Sequence, residues 1–551
     1  MEDLKPGPAN TPPLTTLGFL DRAATVYGDC TSIIYNNTTF TWSQTHRRCL
    51  QLASSLSSIG IGRGDVVSVV APNVPAMYEL QFAVPFTGAI LNNINTRLDY
   101  RTISVILSHG ESKLVFVDCV SRSLVLDAIS LLPPETQRPI LILITDDSVE
   151  LITSSGGFYD TYEGLVAKGD PNFQWIRPES EWDPMILNYT SGTTLSPKGV
   201  VHCHRGAFIM TVDSLIDWAV PKQPVYLWTL NMFHANGWSY PWGMAAVGGT
   251  NICVRKFNAA TVFNLIEHHG VTHMCGAPVV LNILTNFPRE KPLTSPVQVL
   301  TAGSPPPTEV LLRTEALGFV VSHGYGLTET GGLPVSCAWK PGWNLLPATE
   351  RARLKARQGV RTVGLAVMDV VDPDSGKPVK HDGSTLGEVV IRGGCVMLGY
   401  LKDPEGNAKC FKNGWFYTGD VRVMHPDGYL ELKDRSKDVI ISGGENLSSV
   451  EVESVLYSYP AVNEAAVVAR PDEFWGETPC AFVSLREGLE KKPTEKDIIE
   501  YCRARLPHFM APKAVVFKED LPKTSTGKIQ KYILRKEAKD MGKLKAGKEG
   551  T

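Results

Sequence analysis

No apolar stretch in the 551 residues approaches the roughly 18–20 residues that a membrane-spanning helix needs. The most apolar region, about 66–92, is interrupted by Pro72, Pro75, Pro85, Gly88 and the charge of Glu79, so no membrane span is expected. The start, Met1-Glu2-Asp3-Leu4-Lys5-Pro6, is acidic and proline-rich, without the basic start and apolar core of a signal peptide. No Cys-x-x-Cys pair occurs among the eleven cysteines, which are scattered and odd in number. That pattern disfavours a disulfide framework or a zinc ribbon and predicts reduced, mostly buried thiols. Neither sign of charge is in excess: 54 Lys and Arg face 57 Asp and Glu, for a formal net charge of -3. No global field therefore draws the chain to nucleic acid or an anionic membrane. The end, Glu549-Gly550-Thr551, is not a Ser-Lys-Leu type of peroxisomal address, so the cytoplasm is the expected compartment. Repeats and long low-complexity segments are also missing.

What is present is an alternation. Apolar strand-like runs (Val66–Val70, Lys113–Val117, 139–144, 250–254) alternate with amphipathic stretches such as 43–59 and 260–268, with Gly60 and Gly270 near their ends. This order predicts a layered α/β architecture. A dense charged segment, 431–438, follows the Asp427-Gly428 turn and precedes a glycine-rich turn and a shorter α/β pattern. The expected division is therefore a large domain of several subdomains at 1–433 and a small, mobile α+β domain at 434–551, hinged at about 434–438. Lys536 to Thr551 read as a basic, mobile tail.

The strongest local signal is Tyr189-Thr190-Ser191-Gly192-Thr193-Thr194-Leu195-Ser196-Pro197-Lys198-Gly199, after the apolar run Met185-Ile186-Leu187. Hydroxyls and glycines in one loop can surround a polyphosphate with O–H and N–H donors, and Lys198 adds a positive charge. The loop does not match Gly-x4-Gly-Lys-Ser/Thr, which disfavours an ordinary P-loop enzyme. A Ser/Thr-rich surface turn is the bland alternative. Asn188-Tyr189-Thr190 is also an acceptor pattern for N-glycosylation, and a glycan there would block the loop.

The loop resembles the signature of the acyl-adenylate-forming superfamily, which holds acyl-CoA synthetases, peptide-synthetase adenylation domains and beetle luciferases. Further stretches resemble the family's other motifs, in order: Tyr325-Gly326-Leu327-Thr328-Glu329-Thr330, Gly387 to Gly393, Trp415 to Asp420, Asp434-Arg435-Ser436-Lys437 and Pro522 to Lys528. The resemblance implies an ATP-dependent carboxylic acid–CoA ligase, a plant-type acyl-activating enzyme working through an acyl-adenylate. ATP, Mg²⁺ and coenzyme A would be its cofactor and co-substrates, and a monomer or homodimer its assembly.

By that resemblance Thr328 contacts the α-phosphate and Glu329 binds Mg²⁺. Tyr325 lies against adenine beside Gly303-Ser304-Pro305, and His323, Gly324 and Gly326 border the nucleotide. Asp420 holds the ribose hydroxyls with Arg435 assisting. Lys528 supplies charge to the carboxylate and α-phosphate in the adenylation step. Ser442, Gly443, Gly444 and Glu445 line a path for the pantetheine arm, and Lys437 is the hinge candidate.

Phe233-His234-Ala235-Asn236-Gly237-Trp238 resembles the family's acyl-pocket motif, with His234 near the carboxylate. Ala235, Asn236, Trp238, Tyr240, Leu300, Gly303, Gly324, Gly332 and Leu333 are the matching lining candidates. Bulky Trp238 and Tyr240 point to a short or compact acid, branched or medium-chain aliphatic, or alternatively of the cinnamate or benzoate type. One departure is Leu195-Ser196, where many relatives have a glycine.

Amino-acid activation is disfavoured by Ala235, since the family's amino-acid activators place an Asp there. A luciferase-like oxygenase and a nucleotide-binding scaffold remain as alternatives, the latter disfavoured by the presence of Lys528, Glu329 and Asp420. His202-Cys203-His204 would put two histidines on one face of a strand without a third metal ligand. His268, His269 and His273 read as helix-end or surface residues.

Overall fold

The computed structural model describes residues 6–146, 156–190, 197–289, 291–303, 306–431, 440–442, 445–472, 475–524 and 528–546. The apolar runs become the central strands of two largely parallel sheets. In the first, the order from one edge is Val360–Arg361, Val335–Ser336, Phe319–Tyr325, Val297–Thr301, His273–Gly276, Val225–Trp228, Thr250–Cys253, Thr31–Tyr35 and Thr38–Thr41. The six strands from Phe319–Tyr325 to Thr31–Tyr35 run parallel, and antiparallel strands close both edges.

The second sheet runs Gly399–Tyr400, Lys198–Cys203, Pro184–Thr190, Ile90–Asn93, Val66–Val70, Ser112–Asp118, Ile140–Ile144 and Asp160–Thr161. Its strands Pro184–Thr190 and Lys198–Cys203 form a hairpin in which Thr190 faces Lys198, so the hydroxyl-rich loop is the hairpin's connection. A third, antiparallel sheet (Val367–Val371, Gly387–Arg392, Trp415–Met424 and Phe411–Lys412) carries the later motifs.

Helices fill the connections as their sequences dictate. Trp42–Ser58 begins with a capping box between Thr41 and Gln44, and Ala259–His269 is capped by Asn258 and closed by left-handed Gly270. Trp42, Trp228, Trp242 and Tyr78 are wholly buried in the largest core cluster, between the first two sheets and their helices. A ring of this size withdraws roughly 150–250 Å² from water, which makes such side chains dominant in the packing.

Past residue 440 the chain builds its own sheet from Glu445–Leu447, Ile440–Ser442, Gly476–Leu485, Val462–Asp472 and Ala514–Lys518. Two core clusters, one around Val467 and one around Phe482, draw their fully buried members from this region alone. The expected hinge falls outside the described residues. Among the described residues no helix is long and apolar enough to cross a membrane, and the cysteines are all free.

Three expectations are corrected. Residues Lys531–Ala546 form a helix rather than a tail, because Leu534 and Ala538, four apart on one face, are wholly buried in the second of those clusters. His202 and His204 do not share a strand face: the strand ends at Cys203, and His204 opens the helix His204–Asp217. His273 is not at the surface. It starts a central strand, 4% exposed, with its ring edge-on to Trp218.

Candidate active site

The motif residues converge on the carboxyl-terminal ends of the first sheet's parallel strands, where open α/β sheets bind ligands. The strand Val225–Trp228 leads to His234, Val297–Thr301 to Gly303, and Phe319–Tyr325 ends on Tyr325 itself. The buried Tyr325 hydroxyl donates to Asp420 Oδ2 at 2.9 Å. Arg422, 3% exposed, reaches the same oxygen at 3.2 Å, and its guanidinium lies 5.0 Å from the centre of the Tyr325 ring. Burial, then the Asp420 carboxylate, pushes the Tyr325 hydroxyl well above its usual pKa, so it stays a donor. His323 lies deeper, with Nδ1 2.9 Å from the carbonyl of Arg357 and 3.1 Å from that of Lys355, so its ring braces the strand. Burial lowers it to about 4.

Beyond Tyr325 the chain makes one tight turn, Thr328–Thr330. A Cβ on Gly326 would sit 1.9 Å from the carbonyl oxygen of Gly332, so only glycine lets the two segments approach. The turn is pinned from the second sheet by His202, whose Nε2 lies 2.7 Å from the carbonyl oxygen of Thr328. Burial holds His202 near a pKa of about 4, so the neutral ring donates this bond. This accounts for one histidine of the pair; the other, His204, has Nδ1 2.9 Å from Thr15 Oγ1.

Glu329 occupies the middle of the turn. Its Oε1 accepts from the Tyr400 hydroxyl at 2.8 Å, and Met397 N donates to its backbone carbonyl at 2.8 Å. Burial raises the Glu329 carboxyl pKa, opposed by Tyr400 and more weakly by Lys198. Tyr400 belongs to the edge strand Gly399–Tyr400, paired with Val200 and Val201 next to Lys198. Lys198 Nζ accordingly stands 4.4 Å from the centre of the Tyr400 ring and 3.1 Å from Asp403 Oδ2. Two carboxylates, one phenol and one ammonium thus gather at the hairpin strand that follows the hydroxyl-rich loop.

Lys528 enters from the small domain. Its Nζ donates to the carbonyl of Gly303 at 3.2 Å, and its charge, after burial, is the second cause that lowers the half-buried His234 to about 4. His234 is therefore a neutral imidazole beside a lysine ammonium. The small domain also docks through Asn463, whose Oδ1 accepts from Asn286 at 2.7 Å and whose backbone carbonyl accepts from Asn282 at 3.1 Å.

After His234 the backbone turns the wrong way. Ala235, Asn236, Gly237, Trp238 and Ser239 all have positive φ, from 43° to 69°. Each non-glycine residue in such a conformation costs about 1–2 kcal/mol, so surrounding contacts must hold the turn. The turn delivers Trp238 and Tyr240 to a cavity that Leu300, Gly324 and Leu333 also line, together with Ser214, Asp217, Trp218 and Ser336. The cavity's free volume is about 10 Å³, roughly the room of a single water. Five of the expected pocket residues, Trp238, Tyr240, Leu300, Gly324 and Leu333, line this cavity. His234, Ala235, Asn236, Gly303 and Gly332 do not line it, and Asn236 is directed elsewhere.

Ser191, Gly192, Thr193, Thr194, Ser304, Pro305, Arg435, Lys437, Gly443 and Gly444 lie outside the described residues, as does the side chain of Glu445. Thr190 ends the hairpin strand, and Ser442 is buried opposite Glu445 and Gly476. Sequence reasoning missed Tyr400, Asp403, Arg422, Ser214, Asp217, Trp218 and Ser336. Only Arg422 carried a local signal, two residues after Asp420 on the same strand.

The AMP-binding enzyme family matches residues 20–401, and the AMP-binding enzyme C-terminal domain matches 451–528. The chain belongs to the AMP-binding enzyme family. Similar to this AMP-binding enzyme are the 2-methylpropanoate–CoA ligase of Humulus lupulus, 71% identical over 99% of both chains, and the probable acyl-activating enzyme 6 of Arabidopsis thaliana, 67% identical over 98% of this chain and 99% of that one. A probable acyl-activating enzyme 5 of Arabidopsis thaliana, named peroxisomal, is likewise 67% identical over 98% of this chain and 99% of its own length. Among solved structures, an anthranilate CoA ligase in complex with anthranoyl-AMP aligns at a TM-score of 0.84 and 24% identity, over 96% of this chain and 98% of that one, which shows the shared fold.

Proposed function

We propose that this AMP-binding enzyme is an ATP-dependent carboxylic acid–CoA ligase acting on short, branched aliphatic acids. A carboxylate oxygen attacks the α-phosphorus of ATP and pyrophosphate leaves. The CoA sulfur then attacks the acyl carbon and AMP leaves. The observation that carries this reading is Lys528 Nζ at the Gly303 carbonyl beside neutral His234, next to a cavity walled by Trp238 and Tyr240.

Two anions must meet in the first step, so cations placed where charge develops are the main requirement. Lys528 supplies one at the carboxylate and α-phosphate, and Lys198 supplies another beside the hydroxyl-rich loop. His234, uncharged at neutral pH, can donate to the carboxylate without adding charge. Asp420, already accepting from Tyr325 and Arg422, offers its carboxylate to the ribose hydroxyls.

The donor set fits Mg²⁺: Glu329 is a hard oxygen ligand with one phenol partner on Oε1, and magnesium is commonly held by one or two carboxylates plus substrate phosphates. Glu329 would hold the ion, which neutralises phosphate charge when bound. The acid class is supported by the bulk of Trp238 and Tyr240 at the cavity wall and by the relative named a 2-methylpropanoate–CoA ligase. Asn188, the glycosylation-pattern residue, is 4% exposed with its amide bonded, which supports a chain kept out of the secretory pathway. We propose the cytoplasm as its compartment, and imaging an internally tagged chain distinguishes that from peroxisomes.

The decisive assay is CoA-thioester formation with ATP, Mg²⁺ and CoA over acetate, isobutyrate, isovalerate, hexanoate, benzoate, cinnamate and coumarate. The highest kcat/KM is expected for isobutyrate or isovalerate, lowered about 10²–10³-fold by Lys528→Ala. Preference for an aromatic acid overturns the acid class. AMP release without thioester overturns the CoA step.

A further inference from the structure

Four buried side-chain amides form a chain that the chemistry above does not use. Asn188 Nδ2 donates to Asn236 Oδ1 at 2.7 Å, and Asn236 Nδ2 donates to Gln81 Oε1 at 2.9 Å. Asn93 Nδ2 donates to that same Gln81 oxygen at 3.2 Å, and Gln81 Nε2 ends the chain on the Met77 carbonyl at 3.0 Å. All four residues are at most 4% exposed. Buried amides give no hydrophobic stabilisation and are tolerable only when bonded, so a linked set of them specifies geometry.

What the set joins is specific. Asn188 lies on the hairpin strand two residues before Thr190, where the hydroxyl-rich loop departs. Asn236 is the second residue of the left-handed turn between His234 and Trp238, at φ 43° and ψ 50°. The turn's other end is tied by Ser239 Oγ to the carbonyl of Gly331 at 3.1 Å, directly after the Glu329 turn. The segment that sets His234, Trp238 and Tyr240 is thus bonded on one side to the loop strand and on the other to the turn carrying Glu329.

We propose that Asn188 and Asn236 are positioning residues whose amide bond couples nucleotide binding at the hydroxyl-rich loop to acid binding behind the left-handed turn. Neither touches a reacting atom. The loop strand's position sets the Asn236 side chain, and Asn236 holds a turn that its own backbone strain would otherwise release. Coupling of this kind is reciprocal: nucleotide tightens the acid by the factor by which the acid tightens nucleotide.

The inference rests on the proposed ligase reading, with isobutyrate as the acid. The experiment is calorimetric titration of isobutyrate into the full chain, with and without saturating α,β-methylene-ATP and Mg²⁺. Wild type should bind isobutyrate at least fivefold tighter with the nucleotide present. Asn188→Ala and Asn236→Gly should bring that ratio to within twofold of one. Glycine at 236 keeps the left-handed backbone accessible, so its effect reports the amide rather than the turn. The double variant should be no worse than the worse single one, as for two ends of one bond.

A merely structural role would lower thermal stability and leave the ratio at its wild-type value, which overturns the proposal. A wild-type ratio of one also overturns it. Should the alanine variant not fold, Asn188→Ser carries the same test: its hydroxyl is too short for the Asn236 oxygen, and an unchanged ratio again overturns the coupling. A wild type that neither binds nor activates any acid of the panel would instead sink the ligase reading.

Discussion

Lys528 Nζ and the carbonyl oxygen of Gly303 stand 3.2 Å apart, bonding the small domain's last motif to a strand end of the large domain. The acceptor is main chain and the donor a flexible ammonium, so the contact is easily exchanged for a carboxylate or phosphate oxygen of bound substrate. Lys528→Ala should therefore lower isobutyrate-dependent ATP–pyrophosphate exchange by about 10²–10³, the scale seen when one preorganised charge-stabilising donor is removed. Thioester formation from CoA and synthetic isobutyryl-AMP should change less than threefold. Equal loss in both assays would show that the lysine serves both steps.

The same pose is held by Asn463 against Asn282 and Asn286. Asn463→Ala leaves its backbone bond and removes the two that its Oδ1 accepts, from Asn286 at 2.7 Å and Asn282 at 3.3 Å, together worth about 1 kcal/mol. Exchange activity should fall roughly fivefold with the acid KM unchanged, since the pose is less populated and the acid cavity is untouched. A shifted acid KM would contradict this.

Tyr400 donates to Glu329 and favours its ionised form against burial. Tyr400→Phe removes that support, so the Glu329 pKa rises further. The acidic limb of the pH–kcat/KM profile for ATP should move to higher pH, and the Mg²⁺ concentration for half-maximal rate at pH 6 should increase. An acidic limb that stays in place would exclude Glu329 as the group that titrates there.

Five histidines (His202, His204, His234, His273 and His323) are held neutral by burial at about 4 against an ordinary value of 6.5. Below pH 6.5 the unfolded chain binds protons that the folded chain refuses, so stability is full above about 6.5 and is lost as pH falls toward 4. Each group contributes up to about 3 kcal/mol of that loss. Urea midpoints should drop between pH 7 and 5, and His323→Gln should flatten the slope. A midpoint constant over that range would refute the assignment.

Trp238 and Tyr240 face a cavity with almost no spare room. Trp238→Leu should raise kcat/KM for hexanoate relative to isobutyrate about tenfold, on the scale of one or two methylenes in an apolar pocket. An unchanged ratio would mean that chain length is sensed elsewhere.

Much of this was legible along the chain, for local reasons. The strands Val66–Val70, interrupted only by Ser68, and Ile140–Ile144 are apolar runs because both faces are covered, and 250–254 overshot its strand by one residue. The hydroxyl-rich loop, Tyr325, Glu329, Asp420 and Lys528 stand in contiguous motifs whose residue types state their chemistry. Tyr400 and Asp403 do not: they reach Lys198 because an edge strand some 200 residues later pairs beside it, and no spacing encodes that pairing. Trp218 and Asp217 are missed for the same reason, lying at a helix end that meets the cavity only after packing. The histidine pair was misread because the strand was carried one residue too far. The Cys203 side chain caps the next helix at Gly206, a weak signal in a cysteine.

The left-handed turn bears on how such a site could be given a new acid. Libraries that randomise 235–239 would chiefly sample backbones that revert to the ordinary hand, withdrawing Trp238 and His234 together and yielding dead proteins rather than altered ones. Variation at Leu300, Leu333, Ser214 and Ser336, which face the cavity from right-handed or extended backbone, changes its shape while leaving that turn alone. The productive search space lies in those lining residues rather than in the motif.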